Sequence, residues 1–179
     1  MRTKEDISKF LLKNIPVLLF VLVFVIFGIF SPKFLSLASF SNIILNSSYV
    51  GIIGIGIMFV LLTAGIDLSV GSVMYLASAS TGLLIANFHV PTAVGVLGGI
   101  AVALLVGLIN AFCIIKLDIL PFVTTLGTMT AGRAVGTWMT HSESVNLPKT
   151  ITSLGSQKIF GIPMAIVLFL LIAVIAAVF

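Results

Sequence analysis

The chain has 179 residues, 60% of them hydrophobic and only 8% charged, with a net charge of +4. Soluble domains carry roughly a quarter charged residues, so a water-soluble fold is excluded and the chain reads as an integral membrane protein. The single cysteine, Cys113, excludes an intrachain disulfide and a cysteine metal site, and reads as a small packing residue.

Arg2, Lys4, Lys9 and Lys13 form a basic tail over residues 1–14, directly ahead of an apolar run. That order is an orientation signal and not a nucleic-acid patch. No charge falls between Lys13 and Lys33, and the first span is expected at residues 16–30, retained rather than cleaved as a signal peptide. Pro32 stops it, and the serines and Asn42 of "SPKFLSLASFSN" are candidates to cap a second span at 43–62. Residues 68–115 carry no formal charge, enough for two spans, which turn at "ANFHVP" (86–91). His89 in that turn reads as an interfacial loop residue. "KLD" (116–118) ends span four. Span five runs over 119–139 with Pro121 in its first turn, where proline is tolerated. Residues 140–163 form one long polar connection, and a sixth apolar run covers 164–179. The expected fold is all-α, a polytopic membrane helix bundle of about six transmembrane helices.

Six crossings put five basic residues on the tail face, Lys116 included, and three, Lys33, Lys149 and Lys158, on the other. The positive-inside rule then makes the N-terminus cytoplasmic and 140–163 extracytoplasmic. Small residues pack helices in lipid. Gly51, Gly54 and Gly56 in span two, Gly95 and Gly99 in span four, and Gly132 and Gly136 in span five are read as bundle packing.

Asp67 is the only formal charge between Lys33 and Lys116, and Arg133 falls within span five. A charge at mid-bilayer costs at least about 2.5–3.5 kcal/mol, so such residues face a protein interior or a wet cavity. In "AGIDLSVGS", Gly65 is expected to relax the end of span two. Asp67 or Ser69 can accept hydrogen bonds from the free N–H groups that open span three, at the positive end of its dipole. Gly71 is expected to leave room for a neighbouring backbone. Two readings fit: a tight cytoplasmic turn with a capping aspartate, or a helix break lining a solute path. Arg133 is read as snorkelling to the outer interface, in preference to joining a buried polar network. It is not expected to pair with Asp67, because the span order sets the two towards opposite faces.

"GIMFVLLTAGIDLSVGSVMYLASA" resembles the signature of permease subunits of ATP-binding-cassette sugar importers, the ribose/xylose/galactoside branch. "GLINAFCIIKLDILPFVTTLGTMTAGRAV" and "THSESVNLP" follow in the order that family shows. The matched positions are Gly65, Ile66, Asp67, Leu68, Ser69, Val70, Gly71, Asn110, Pro121, Phe122, Thr125, Leu126, Gly127 and Arg133. Ala64 and Ala111 stand where the family commonly has glycine.

The resemblance implies a single transmembrane permease domain over 1–179 in a bacterial plasma (inner) membrane, forming the path for a monosaccharide such as ribose. The family's ATPase-docking segment would begin where this sequence ends, so a first half of a permease is expected. Implied partners are an ABC ATPase that carries the ATP and Mg, a second permease copy (the same chain or a different one), an extracytoplasmic sugar-binding protein and the lipid bilayer. No cofactor, metal or covalent catalysis is expected of the chain itself. Asp67, Ser69, Gly71 and Asn110 are expected at the break or path. Gly65, Pro121, Gly127, Gly132, Arg133 and Gly136 are expected to support packing. The rival functions are a stand-alone channel or secondary carrier, and a non-transporting truncated fragment.

Overall fold

A computed structural model describes residues 12–159 and 161–178. Arg2, Lys4 and Lys9 of the basic tail lie outside the described residues. The chain divides into two units, Met1–Ser47 and Ser48–Phe179, and each is described by itself.

In the first unit, α1 (Ile15–Phe30) carries Pro16 in its first turn, where the missing N–H has no intrahelical partner to lose. It ends as expected before Pro32, with the Ser31 N–H on the Phe27 carbonyl at 2.9 Å. The connection then folds back. The Phe34 ring packs edge-on against Phe24 at 5.2 Å between centroids, and lies 5.7 Å from Phe27. Of the candidate caps, Ser36 is the one used: its hydroxyl accepts the Ser39 N–H at 3.2 Å. The next helix, α2 (Leu37–Leu62), therefore starts six residues before the expected position. Asn42 lies inside it, with its carbonyl accepting the Asn46 side-chain amide at 2.9 Å. Polar residues that read as a loop are absorbed by the first two turns.

In the second unit, α3 (Val70–Phe88) is the hub, packed against both α4 (Thr92–Ile115) and α5 (Pro121–Thr140). The glycine pairs explain how. An added Cβ at Gly99 would collide with the Thr81 hydroxyl and sit 2.7 Å from the Ala77 carbonyl; one at Gly95 would run into Ile85. At Gly132 it would meet Ser72, and at Gly136 the Tyr75 ring. Both pairs thus bring their helices onto α3, α4 antiparallel to it and α5 parallel. Gly51 makes a similar seat for the Phe169 ring. Gly54, Gly56 and Gly127 do not pack in this way, since a Cβ there meets nothing within 4 Å. Their expected packing role is not present within the described residues.

The burial pattern is that of a bundle in lipid. Among the described residues the buried hydrophobics are only Leu76, Ala79 and Ala165, while Ser69, Ser72, Ser80, Asn110, Thr124, Thr125 and Thr140 are buried. Leu97, Leu104, Leu108 and Phe112 of α4 face outward. Without water to drive apolar groups inward, small and hydrogen-bonding residues hold the interior and large aliphatic ones meet the chains of the lipid.

Three of the helices, α2, α3 and α4, are long and apolar enough to cross a membrane by length and composition. α2 alone, at 26 residues and 1.5 Å per residue, spans about 39 Å. α1 is apolar and shorter, with 16 residues. α5 has the length, 20 residues, but carries six threonines and Arg133. Its threonines return their hydroxyls to the helix: Thr128 to the Thr124 carbonyl at 3.2 Å, Thr130 to Gly127 at 2.8 Å, Thr140 to Gly136 at 3.0 Å. Such bonds satisfy a hydroxyl where no water is at hand.

The connection over 140–163 is more ordered than a polar loop. Val145 and Leu147 press on Gly82, α6 covers Lys149–Ser156, and a two-residue antiparallel pair joins β1 (Lys158–Ile159) to β2 (Ile162–Pro163). Gly161 takes φ 82° in the turn between them, a conformation open to glycine. This pair is the one departure from an all-α fold among the described residues. The last helix, α7 (Met164–Val178), has 15 residues.

Candidate functional site

The segment between α2 and α3 is built from two helix ends and two side-chain ties. At the end of α2 the Ala64 N–H bonds the Leu61 carbonyl at 2.9 Å, and the Gly65 N–H bonds Val60 at 3.2 Å. These are the two hydrogen bonds of a Schellman cap, in which the residue after the helix turns left-handed. That residue is Ala64, at φ 55°, and not Gly65. The expected relaxation therefore falls one position earlier, on a residue whose Cβ resists it. Ala64→Gly is expected to raise stability by roughly 0.5–1 kcal/mol, read as a higher unfolding midpoint in detergent. No gain would mean that this left-handed turn is unstrained.

Asp67 does bind backbone and hydroxyl, but not in the expected way. Its Oδ1 accepts the Ser69 N–H at 2.7 Å and the Ser69 hydroxyl at 2.6 Å. Ser69 is itself the N-cap of α3 and sends no side-chain bond into the helix. The carboxylate thus closes an Asx-type turn ahead of the helix, and the first-turn N–H groups of α3 are left to other partners. Both bonds are short, as expected when the acceptor is ionised.

Ser69 then hands the network to α4. Its hydroxyl accepts from the Asn110 amide Nδ2 at 3.1 Å. A serine hydroxyl has one proton, and Asp67 takes it, so Asn110 must present its NH2 and not its carbonyl to Ser69. Among the described residues the Asn110 Oδ1 is buried without a hydrogen-bond partner, as is the Thr124 hydroxyl. Asp67 and Ser69, read together from one motif, and Asn110, implied by the resemblance, form one hydrogen-bonded chain.

α5 supplies the second tie. The Thr125 hydroxyl lies 3.1 Å from the Ile66 carbonyl and 2.9 Å from Pro121, and its single proton serves either. Ser72 adds a local bond to the Ser69 carbonyl at 2.7 Å. Sequence reading did not select Thr125 or Ser72 for the site. For Thr125 the signal was its presence among the matched positions, and for Ser72 its place three residues beyond Ser69 in a run of small residues.

Depth follows from these ties. Asn110 stands five residues before the end of α4, about 8 Å, and Thr125 four residues into α5, about 6 Å. The break therefore sits inside the ends of its neighbours, not at a terminal turn.

The remaining candidates distribute as follows. Gly65 is buried, Pro121 opens α5, and Gly132 and Gly136 seat α3 as described. Among the described residues Gly71 does not receive a neighbouring backbone: a Cβ there meets nothing within 4 Å. It opens instead on a cavity of about 340 Å³ that it shares with Tyr75, Arg133 and Thr137. Arg133 is exposed. It sits level with the first turn of α3, one residue after the Gly132–Ser72 contact, so it is nearer the Asp67 end of α3 than the span order suggested. The reason is stagger: α5 runs eleven residues from Pro121 before reaching the level of Ser72.

Residues 39–179 match the model of a family described as branched-chain amino acid transport system / permease component. The chain is 38% identical over 114 residues to the fructose import permease protein of Rhizobium meliloti, covering 63% of this chain and 32% of that one. It is 32% identical over 152 residues to the D-allose transport system permease protein of Escherichia coli K12, covering 84% and 47%. To the ribose import permease protein of Haemophilus influenzae it is 28% identical over 166 residues, covering 90% and 51%. The chain thus spans about a third to a half of the length of these relatives. No solved structure matches.

Proposed function

The chain belongs to the family of branched-chain amino acid transport system permease components, and from that premise we propose that it supplies part of the membrane path of an ATP-driven importer for a monosaccharide. The observation that carries the substrate class is the similarity to permeases named for fructose, D-allose and ribose import. The sugars differ, so ribose has no preference over the others.

In this reading the chain performs no covalent chemistry. An extracytoplasmic binding protein delivers the sugar, a second permease copy, identical or not, completes the path, and a cytoplasmic ATPase binds ATP and Mg²⁺ and switches access. The membrane is the bacterial plasma membrane, with the N-terminus cytoplasmic. Asp67, Ser69 and Asn110 hold the α2–α3 break in shape close to the path. Broken backbone at membrane depth is tolerated where protein buries it or water lines it, and the ties to α4 and α5 meet that condition. A break held by side chains also offers a joint at which α2 and α3 can change angle as access alternates.

The test is purification of the tagged protein from its native membrane in mild detergent, with uptake of labelled monosaccharides by the same cells. An ABC ATPase is expected to co-purify, and uptake is expected to stop when that ATPase is depleted. Uptake that persists without it would replace the importer by a carrier or channel.

A further inference from the structure

Exposed faces of the α3–α4–α5 unit differ in chemistry. On α4 every exposed residue is apolar, from Ala93 and Leu97 through Leu104 to Phe112 and Ile115. On the open side of the α3–α5 seam the exposed residues include Gly71, Tyr75, Ser78, Arg133, Thr137 and Glu143. Lipid suits the first face and not the second.

The seam is concave as well as polar. One cavity of about 340 Å³ is lined by Gly71, Tyr75, Arg133 and Thr137. A second, of about 580 Å³, shares Arg133 and Thr137 and adds Trp138. A third, of about 340 Å³, shares Tyr75 and reaches Ser78, Thr140 and Glu143. Tyr75, Arg133 and Thr137 thus link three hollows running along α3 and α5 towards the 140–163 connection. The Tyr75 hydroxyl is 3.3 Å from the Thr140 hydroxyl, which holds the phenol against α5.

We propose that this seam is the solute-contacting wall of the path, and that it takes a neutral polyhydroxylated solute of monosaccharide size. The proposal rests on the importer reading and adds the residues that meet the solute. A guanidinium presents several N–H donors in one plane, suited to adjacent hydroxyl groups. Tyr75 and Thr137 each donate and accept, and Trp138 offers an apolar ring face beside them. Volumes of this order fall at the low end of small-molecule sites, about 300–1,000 Å³. Arg133 lines two of the hollows, so an otherwise costly membrane charge faces a cavity. Gly71 leaves the opposite wall bare, which accounts for a glycine at a position where this chain's own packing does not require one.

The test is substituted-cysteine accessibility in the assembled transporter, with Cys113→Ala as background. The probe is a charged, membrane-impermeant methanethiosulfonate, and the readout is uptake of a labelled monosaccharide. Thr137→Cys is expected to react, to lose uptake on reaction, and to be protected by saturating sugar. Leu104→Cys on α4 is expected to remain unmodified. Independently, Gly71→Leu is expected to lower uptake about tenfold or more by filling the hollow, with an unchanged yield of folded protein because nothing among the described residues lies within 4 Å. Absence of ATP-dependent uptake in the Cys113→Ala background and the unsubstituted protein alike would overturn the importer reading itself. Normal uptake there, with Thr137→Cys unreactive or modified without effect, would overturn the seam alone and mark it as a face covered by other protein.

Discussion

Ser69→Ala is expected to destabilise the protein by about 2 kcal/mol, the largest effect of any single-atom deletion at the break. The side chain is 1% exposed, so water does not replace what it loses. The hydroxyl gives its proton to Asp67 and its lone pair to Asn110. Removing it leaves the Asn110 NH2 unpaired beside an Oδ1 that already has no partner. Burying an unsatisfied amide costs about 1–3 kcal/mol, and the lost bond to a carboxylate adds to it. Unfolding midpoints in detergent measure the loss. Asp67→Asn keeps an acceptor at Oδ1 and is expected to cost about 1 kcal/mol, since neutral bonds are weaker than charge-assisted ones. In a double-mutant cycle, Ser69→Ala and Asn110→Ala are expected to couple by about 0.6–1.7 kcal/mol, between the average and the largest values for interhelical hydrogen bonds in membranes. Strict additivity would mean that the α3–α4 tie contributes nothing to stability.

Gly99→Val is expected to prevent α4 from seating on α3. The new Cβ would sit 2.7 Å from the Ala77 carbonyl and collide with the Thr81 hydroxyl. Thr81 can turn away, but a helix carbonyl cannot, so the helices must part. Overpacking of this kind costs about 1–3 kcal/mol and more when backbone must move. The upper end is expected here, because α3 also holds α5. Gly107→Val, on the same helix with open space around it, is expected to be nearly neutral. The pair is compared by the yield of monodisperse protein after membrane extraction. Equal yields would remove the glycine seat as the cause of α3–α4 packing.

Several elements were legible in the residues because the bilayer makes local composition decisive. Pro32 stopping α1, Pro121 opening α5 and the turn at 86–91 are local stereochemistry, and the structure has each of them. The start of α2 was not legible. Ser39, Ser41 and Asn42 look like loop, yet the helix begins ahead of them, where the Ser36 hydroxyl accepts the Ser39 N–H. The order within 140–163 escaped for a related reason: Val145 and Leu147 matter only because Gly82 lies across from them.

At the candidate site, the sequence by itself marked the polar residues that an apolar chain keeps. Asp67 stood out because a charge is expensive in lipid, Ser69 as a capping residue beside it, and Asn110 through the family resemblance. The glycine spacing announced close helix approach, and for Gly95, Gly99, Gly132 and Gly136 this is where the helices meet. Tertiary structure alone decided which polar groups join, and how far they lie from the helix ends. Asn110 reaches Ser69 across 41 positions of sequence, a distance over which no periodicity carries information. It also decided that Gly71 faces a hollow and not a helix, and that Arg133 stands level with the start of α3. Both depend on the stagger of α5 against α3, which is set by where side chains interlock and not by the composition of either helix.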